Sequence, residues 1–434
     1  MRRLNASDPD FDTAFARLID APRDTAGDAS DAASAILTAV RTDGLAAVLD
    51  LTRRFDRWEA TAGTLRVPPA AMAAARDALD NRTRAALELA AARIRAFALR
   101  QLPHDDLWTD DSGTTLGWRW SPCDAAGLYA PGGLAAYPSS LLMNAIPAEV
   151  AGVARRVVVM PTPDGQASPM MLAAAAIAGV TEVWRIGGAQ AIAALAYGAG
   201  PIAPVDVIVG PGNAYVAAAK RLVFGQVGID AVAGPSEVLI LADGSCPASW
   251  IAADLLAQAE HDSAAQSILI TDDAAFADAV AAEVERQLGA SPRAQIAGAS
   301  WKAHGAIITV ETLCDAVPLA NRIAAEHLQI AAREPERLAR DIRHAGAIFL
   351  GSLTPEAVGD YVGGPNHVLP TNRTARFSSG LSPLAFLKRT TLVGCTPASL
   401  AAIGPAAVDL GTAEGLDSHA RSVALRLGEG GGGA

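Results

Sequence analysis

Apolar residues change their rhythm along this chain near position 127, and that change divides it. Over the first hundred residues they recur at helical spacing, in an amphipathic run over 31–55 and a longer one over 69–101, after an Asp-Pro start near Asp8. These stretches predict helices that act as scaffold. From Gly127 onward short β-branched runs alternate with helical ones. Strands are predicted over 156–160, 182–186 and 205–209, with helices over 169–179 and 189–197 between them. After Gly234-Pro235 the alternation begins again, with strands over 237–242, 267–271, 306–310, 328–331 and 347–350 and helices over 248–261, 273–288 and 311–325. Strands joined by helices lie parallel, so two doubly wound α/β units are expected, hinged at Gly234-Pro235, with clefts at the carboxyl ends of their strands. From Leu381 the pattern turns helical once more, breaks at Gly404-Pro405 and ends in a glycine tail, Gly430 to Gly433, expected to be flexible.

Composition narrows the function. A chain of 434 residues, 51% hydrophobic, exceeds one ordinary core and suggests two or three domains. A net charge of -11 and the lack of any basic block argue against nucleic acid and toward small-molecule partners. No apolar run follows Arg2 and Arg3, and the longest one, around 170–180, is far shorter than a bilayer span. Neither a secretory signal nor a membrane anchor is expected, and a cytoplasmic location is. Cys123, Cys246, Cys314 and Cys395 are scattered without C-x-x-C spacing, which fits a reducing compartment.

The candidate chemistry sits in a few polar islands. Leu255-Leu-Ala-Gln-Ala-Glu-His-Asp ends an apolar helical run, and Gln258 and His261, three apart, share a helix face on which both can close on one ion. Further along come Glu326-His327, Asp360, His367, Glu414 and His419; four of seven histidines fall in these islands. Nitrogen and oxygen ligands suit a zinc site left open for substrate, whereas a structural site would use closely spaced cysteines, and Asp360 and His419 are the candidates to complete it. The plainer alternative is a solvated polar helix end. Glu326 and His327 are expected at a strand or helix mouth, where the imidazole can take a proton from an alcohol and the carboxylate can activate water. The alternative is a histidine placed favourably at a helix C-terminus. Val205-Asp-Val-Ile-Val-Gly-Pro-Gly-Asn reads as strand, turn and helix start, able to cradle a phosphate. Gly210 and Gly212 match two glycines of the dinucleotide fingerprint, but Tyr215 replaces the third, so a plain tight turn stays open. Turns at 127–133 and 187–190 would line the same sheet edge and describe a nucleotide cleft. Cys246 and Cys314 lie at predicted helix starts with no base near in sequence, and read better as ordinary thiols than as nucleophiles.

With these residues set out, the chain closely resembles the histidinol dehydrogenase family. The resemblance runs nearly end to end and is carried by Gly127-Leu-Tyr-Ala-Pro-Gly-Gly, Gly187-Gly-Ala-Gln-Ala-Ile-Ala, Val209-Gly-Pro-Gly-Asn-Ala-Tyr, Ala233-Gly-Pro-Ser-Glu, Gln258-Ala-Glu-His-Asp, Ala325-Glu-His-Leu, Gly363-Gly-Pro-Asn-His-Val-Leu-Pro-Thr, Thr374-Ala-Arg-Phe-Ser-Ser-Gly-Leu-Ser and Glu414-Gly-Leu-Asp-Ser-His-Ala-Arg. It implies oxidation of L-histidinol to L-histidine through the aldehyde with two NAD. Zn2+ would be held by Gln258, His261, Asp360 and His419, with Glu326 and His327 as the acid and base pair. Ser236, His367 and Glu414, with His327 and the four ligands, would contact substrate, and Tyr129, Gln190 and Asn213 would contact NAD. The implied fold is α/β, with two Rossmann-like doubly wound domains and small helical N- and C-terminal domains in an intertwined homodimer. Its domains would be 24–127 plus 236–380, 128–235 contacting NAD, and 1–23 plus 381–434 as helical dimerisation pieces. His419 and Glu414 would then serve the neighbour's site. A related dehydrogenase of another small alcohol, such as a sulfonate diol, a zinc hydrolase, and a regulatory binding protein are the rival readings.

Overall fold

The computed structural model describes residues 1–21, 26–131, 137–232 and 234–428. Part of the turn at 127–133, Ala233 and the Gly430 to Gly433 tail therefore lie outside the described residues. The chain forms two compact units, one of residues 1–101 and 124–386, the other of 102–123 and 387–434.

The first unit is built on two all-parallel sheets. One has six strands in the order Arg2–Asn5, Ala306–Thr309, Gln266–Thr271, Glu237–Ala242, His327–Ala331 and Ala347–Leu350. The other has five, in the order Glu182–Trp184, Arg155–Val159, Ala125–Tyr129, Val207–Val209 and Gly228–Ile229. Central strands such as Glu237–Ala242 and Gln266–Thr271 are buried at every position, the mark of a parallel sheet covered on both faces.

The N-terminus departs from its helical expectation. Arg2–Asn5 is a strand that pairs in register with Ala306–Thr309 and so closes the edge of the six-stranded sheet, and Phe11–Ile19 follows it as a helix that buries Phe11, Phe15 and Leu18. A four-residue strand leaves almost no periodic signal, and here its partner lies three hundred residues away. The amphipathic run over 31–55 becomes two helices, Ala26–Asp43 and Leu45–Asp56, broken at Gly44, whose φ of 55° glycine tolerates. The run over 69–101 breaks likewise into Pro69–Ala78 and Asn81–Leu99, because the Asp80 side chain accepts from Thr83 N–H and caps a new helix. Leu37, Val40, Val48, Leu51 and Leu65 share a core with Val157, Ile192, Leu195 and Val216, so the helices Ala26–Asp43 and Leu45–Asp56 cover the five-stranded sheet, whereas grouping 24–127 with 236–380 would put them with the six-stranded one. Asn81–Leu99 does reach the other part, through Arg93, which donates to the carbonyls of Val362 and Gly363.

The second unit also corrects the sequence reading. Residues from 381 onward were expected to be helical, yet Leu387–Gly394 is a strand in an antiparallel sheet with Thr115–Pro122 and Asp106–Thr109. Its pairing partner comes from far upstream, which local periodicity does not register. Two helices follow, Pro397–Ala413 and Asp417–Ala424. Among the described residues no helix is long and apolar enough to cross a membrane.

Candidate active site

A cleft of about 500 Å³ in the first unit is bounded by carboxyl ends of the five-stranded sheet, where Pro131 and Pro211 to Ala214 follow Ala125–Tyr129 and Val207–Val209. It is also bounded by amino ends of the six-stranded sheet, where Ser236 precedes Glu237–Ala242 and His327 begins His327–Ala331, so the expected carboxyl-end placement holds for the five-stranded sheet alone. Its walls include Ser236, Gln258, His261, Glu326, His327, Glu356, Asp360 and His367 from one side and Pro211 to Ala214 from the other.

Three elements converge here. The helix Ala248–Ala259 ends at the cleft with Gln258 in its last turn, and a further turn bond from His261 N–H to the Gln258 carbonyl (3.2 Å) carries His261 to the same wall. The helix Ala316–Ile323 stops at Ala324, in the left-handed conformation (φ 50°), which turns the chain so that Glu326 and His327 stand at the start of the strand His327–Ala331. They occupy a strand mouth, with the preceding helix ending two residues earlier than the sequence suggested. Gly346 packs over the Glu326 carbonyl so closely that any Cβ would collide with it. The short helix Glu356–Tyr361 presents Glu356 and Asp360, four apart, on one face.

Glu237 organises Glu326 and His327. Its backbone N–H donates to Glu326 Oε2 (3.0 Å), and its carboxylate accepts the N–H groups of Glu326 (3.3 Å) and Asn372 (3.2 Å). His327 Nδ1 lies 3.1 Å from the Glu237 carbonyl. A carbonyl only accepts, so the ring proton sits on Nδ1 and the Nε2 lone pair faces the cleft. Nε2 has no hydrogen-bond partner among the described residues and lies 3.8 Å from Asp360 Oδ1. Burial pushes the His327 imidazole down to about 4; the neighbouring Asp360 carboxylate opposes this, and His367 and His261 add to it. His367 is oriented from both sides: Nδ1 meets the Asp360 carbonyl at 3.0 Å and Nε2 meets the Ser140 hydroxyl at 3.0 Å. Burial lowers its proton affinity too, against the pull of Asp360.

The donor set fits a cation. Gln258 is fully buried, yet neither its carboxamide oxygen nor its nitrogen has a partner among the described residues. A buried amide left so costs about 1–3 kcal/mol per group, which a bound ion or substrate would offset. His327, Glu356 and Asp360 each offer a ligand atom, all within 4.8 Å of one another. Glu356 Oε2 is likewise without a partner among the described residues, and burial, then Asp360, Glu326 and Asp254, push the Glu356 carboxyl well above its usual range. Sequence reading missed Glu356; its spacing to Asp360 was the available signal, masked by the shortness of the helix. It also missed Ser140 and Glu237, neither of which differs in sequence from an ordinary cap or strand residue.

Of the remaining sequence candidates, Tyr129, Gln190 and Asn213 stand along the five-stranded sheet's edge. The Tyr129 hydroxyl accepts Gly188 N–H (3.0 Å), and burial pushes the phenol up to about 12. Gln190 is buried beside Gly188, and Asn213 caps the helix Ala214–Val223 by accepting Val216 N–H (3.1 Å). Glu414 and His419 belong to the second unit, where both are exposed. Burial raises the Cys246 thiol above its usual range, which agrees with an ordinary thiol.

With this geometry in hand, likeness to known proteins becomes specific. The family model described as histidinol dehydrogenase matches residues 20–427. The chain is 60% identical over 424 residues to the histidinol dehydrogenase of Ruegeria pomeroyi, covering 98% of each, and 59% identical over 425 residues to that of Bradyrhizobium diazoefficiens, covering 98% of this chain and 99% of the other. This chain belongs to the histidinol dehydrogenase family. A crystal structure of histidinol dehydrogenase from Elizabethkingia anophelis superimposes with a TM-score of 0.93 at 32% identity, covering 99% of this chain and 98% of that one. The α/β architecture with parallel sheets is thus that of a histidinol dehydrogenase structure.

Proposed function

We propose a zinc-dependent mechanism in which this cleft oxidises L-histidinol to L-histidine in two steps, each reducing one NAD. That the chain is an NAD-dependent oxidoreductase acting on histidinol in histidine biosynthesis follows from its family and its relatives. The observation that most supports the finer reading is the buried, unpartnered Gln258 amide facing the same cleft as the His327 Nε2 lone pair. Gln258, His261 and Asp360 would hold the zinc, with the partner subunit's His419 as the fourth ligand. When bound, zinc supplies Lewis acidity and a fixed anchor for the substrate's amine and imidazole.

The chain's own residues handle the protons. His327 keeps its ring neutral near pH 7 because burial disfavours the cation, so Nε2 is free to take the hydroxyl proton as a hydride leaves the carbinol carbon for the nicotinamide. That step yields histidinaldehyde, one NADH and one proton. Glu326, held by the Glu237 N–H, takes a proton from the water that adds to the aldehyde carbon. Loss of a second hydride from the hydrate reduces the second NAD and leaves the carboxylate, whose new oxygen comes from water. Ser236, His367 and the partner's Glu414 would orient the substrate, and Tyr129, Gln190 and Asn213 would contact NAD. The segment 128–235 would form the NAD-contacting domain and 236–380 the main body of the metal-bearing one, with 1–23 and 381–434 among the dimerisation pieces. The protein would act in the cytoplasm as a homodimer whose sites are shared between subunits.

Growth of NADH absorbance on adding histidinol and NAD, abolished by a chelator and restored by zinc, is the expected result. Metal-dependent hydrolysis without any NAD requirement would refute it. For the shared site, mixing His419→Ala with Gln258→Ala chains should recover about half the sites in heterodimers, and no recovery would argue against sharing.

A further inference from the structure

We propose that the buried Lys220–Asp230 pair is a positioning device for the cofactor: it grips Gly210 by both main-chain groups, so that NAD is met by Pro211 to Ala214 and not by an amide cradle at Gly210. This rests on the assignment of NAD to the edge marked by Tyr129, Gln190 and Asn213.

Lys220 lies on the helix Ala214–Val223 with its side chain 2% exposed, and Asp230, just past the strand Gly228–Ile229, is 6% exposed. A lysine is almost never buried so fully unless it is paired. Its Nζ donates to Asp230 Oδ1 and also to the Gly210 carbonyl (3.0 Å), while Gly210 N–H donates to Asp230 Oδ2 (2.8 Å). The strand Val207–Val209 ends one residue earlier, so Gly210 has left the ladder that would otherwise satisfy its backbone. Its φ of 113° belongs to glycine, and a Cβ there would collide with the Tyr129 carbonyl oxygen. The pair thus ties the turn, the helix that Asn213 caps and the last strand of the sheet into one body.

Two apolar residues of similar volume would pack this space at least as well, because desolvation offsets most of the attraction in a buried ion pair. What they would not do is bond both backbone groups of a turn outside the sheet. A backbone N–H already bonded to a carboxylate is not available to a phosphate, so Gly210 offers no free amide to a pyrophosphate.

The test uses the full-length, zinc-loaded enzyme and three variants. Lys220→Met should raise KM for NAD about tenfold or more, within the ~10²-fold that a 1 Å misplacement can cost, and raise the NADH dissociation constant read by fluorescence to match. Histidinol affinity measured without NAD, and zinc content, should stay within about twofold by the same argument. Lys220→Met leaves Asp230 buried alone and risks the fold, so Lys220→Met/Asp230→Leu, which removes both charges, should restore thermal stability while NAD binding stays weak. Asn213→Ala separates the two ideas. If it weakens NAD and the Lys220 variants do not, the device is overturned and the cofactor assignment stands. If none of the three affects NAD, both fall. If NAD and histidinol binding weaken together in the Lys220 variants, the pair is merely structural and the proposal is overturned.

Discussion

The two sheet ends that face the cleft differ in which of their buried polar groups are matched. Around Gly210 and Tyr129 most polar groups are matched: Lys220, Asp230, Asn213 and the Tyr129 hydroxyl each meet a main-chain partner, while Gln190 Oε1 and Asn144 Oδ1 are buried with no partner among the described residues. At the end of the six-stranded sheet, Gln258, His327 Nε2 and Glu356 Oε2 are buried with no such partner among the described residues, and the His327 and Glu356 titrations are pushed away from the charged forms. A largely matched end fixes its turn and helix start, which suits positioning something that comes and goes. An unmatched edge stores desolvation that a metal and a substrate can relieve, so it is where chemistry is expected.

That contrast can be broken most severely at the proton-handling pair. His327→Ala should lower the rate of histidinol oxidation by roughly 10²–10⁴-fold, while Glu326→Ala should act mainly on added histidinaldehyde. Stopped-flow NADH traces on each substrate read the split, and equal losses on both substrates in both variants would contradict the division of labour. Next in size is the metal edge. Gln258→Ala should weaken zinc binding by at least the roughly 10–100-fold that losing even a supporting residue costs, measured by competition with a chromophoric chelator; unchanged affinity would remove Gln258 from the ligand set. A smaller effect is expected where matched and unmatched groups meet. Glu237→Gln would turn an NH₂ toward one of the two N–H groups its carboxylate now accepts, so kcat should fall about tenfold with KM for NAD unchanged. A fall in NAD affinity at constant kcat would move Glu237 to the other edge.

The smallest effect is on stability. Asp254 sits one turn before Gln258, accepts from Gln329 Nε2 (2.9 Å), and is raised by burial to about 6, with the Gln329 bond opposing. Its folded value lies above the unfolded one, so the charged form burdens the folded state in full above about pH 6 and not at all below about pH 4. Asp254→Asn keeps an acceptor for Gln329 and should therefore stabilise the enzyme at pH 7 by about 1–3 kcal/mol, with the gain fading as pH falls from 6 toward 4. Denaturant melts at pH 7.5 and pH 4.5 check this; an equal gain at both would assign the effect to packing.

The site residues that the sequence exposed share one property: they are polar types set in apolar or glycine-rich surroundings. Gln258-Ala-Glu-His261 interrupts an alanine-rich helix and Glu326-His327 precedes an apolar strand, so both stood out before any fold was known. Glu356, Glu237 and Ser140 did not, since each sits where a helix start or strand start accepts such a residue for local reasons. Glu237–Ala242, buried at every position, has the bounds the sequence predicts because a covered parallel strand is a short unbroken apolar run, and the half-exposed edge strand Ala347–Leu350 has them because its residues are apolar even where they face out. Arg2–Asn5 and Leu387–Gly394 were not, because their strand character comes from distant partners.

Sequence by itself determined the alternation of strands and helices, the family, and the polar islands proposed to carry the chemistry, all of which are written in local pattern and residue type. Tertiary structure alone decided that Glu237 holds both Glu326 and His327, that Glu356 joins His327 and Asp360, and that Lys220 and Asp230 close on Gly210. Those contacts join residues whose separation is set by chain crossings, and neither periodicity nor composition records which buried polar groups meet and which are left facing the cleft.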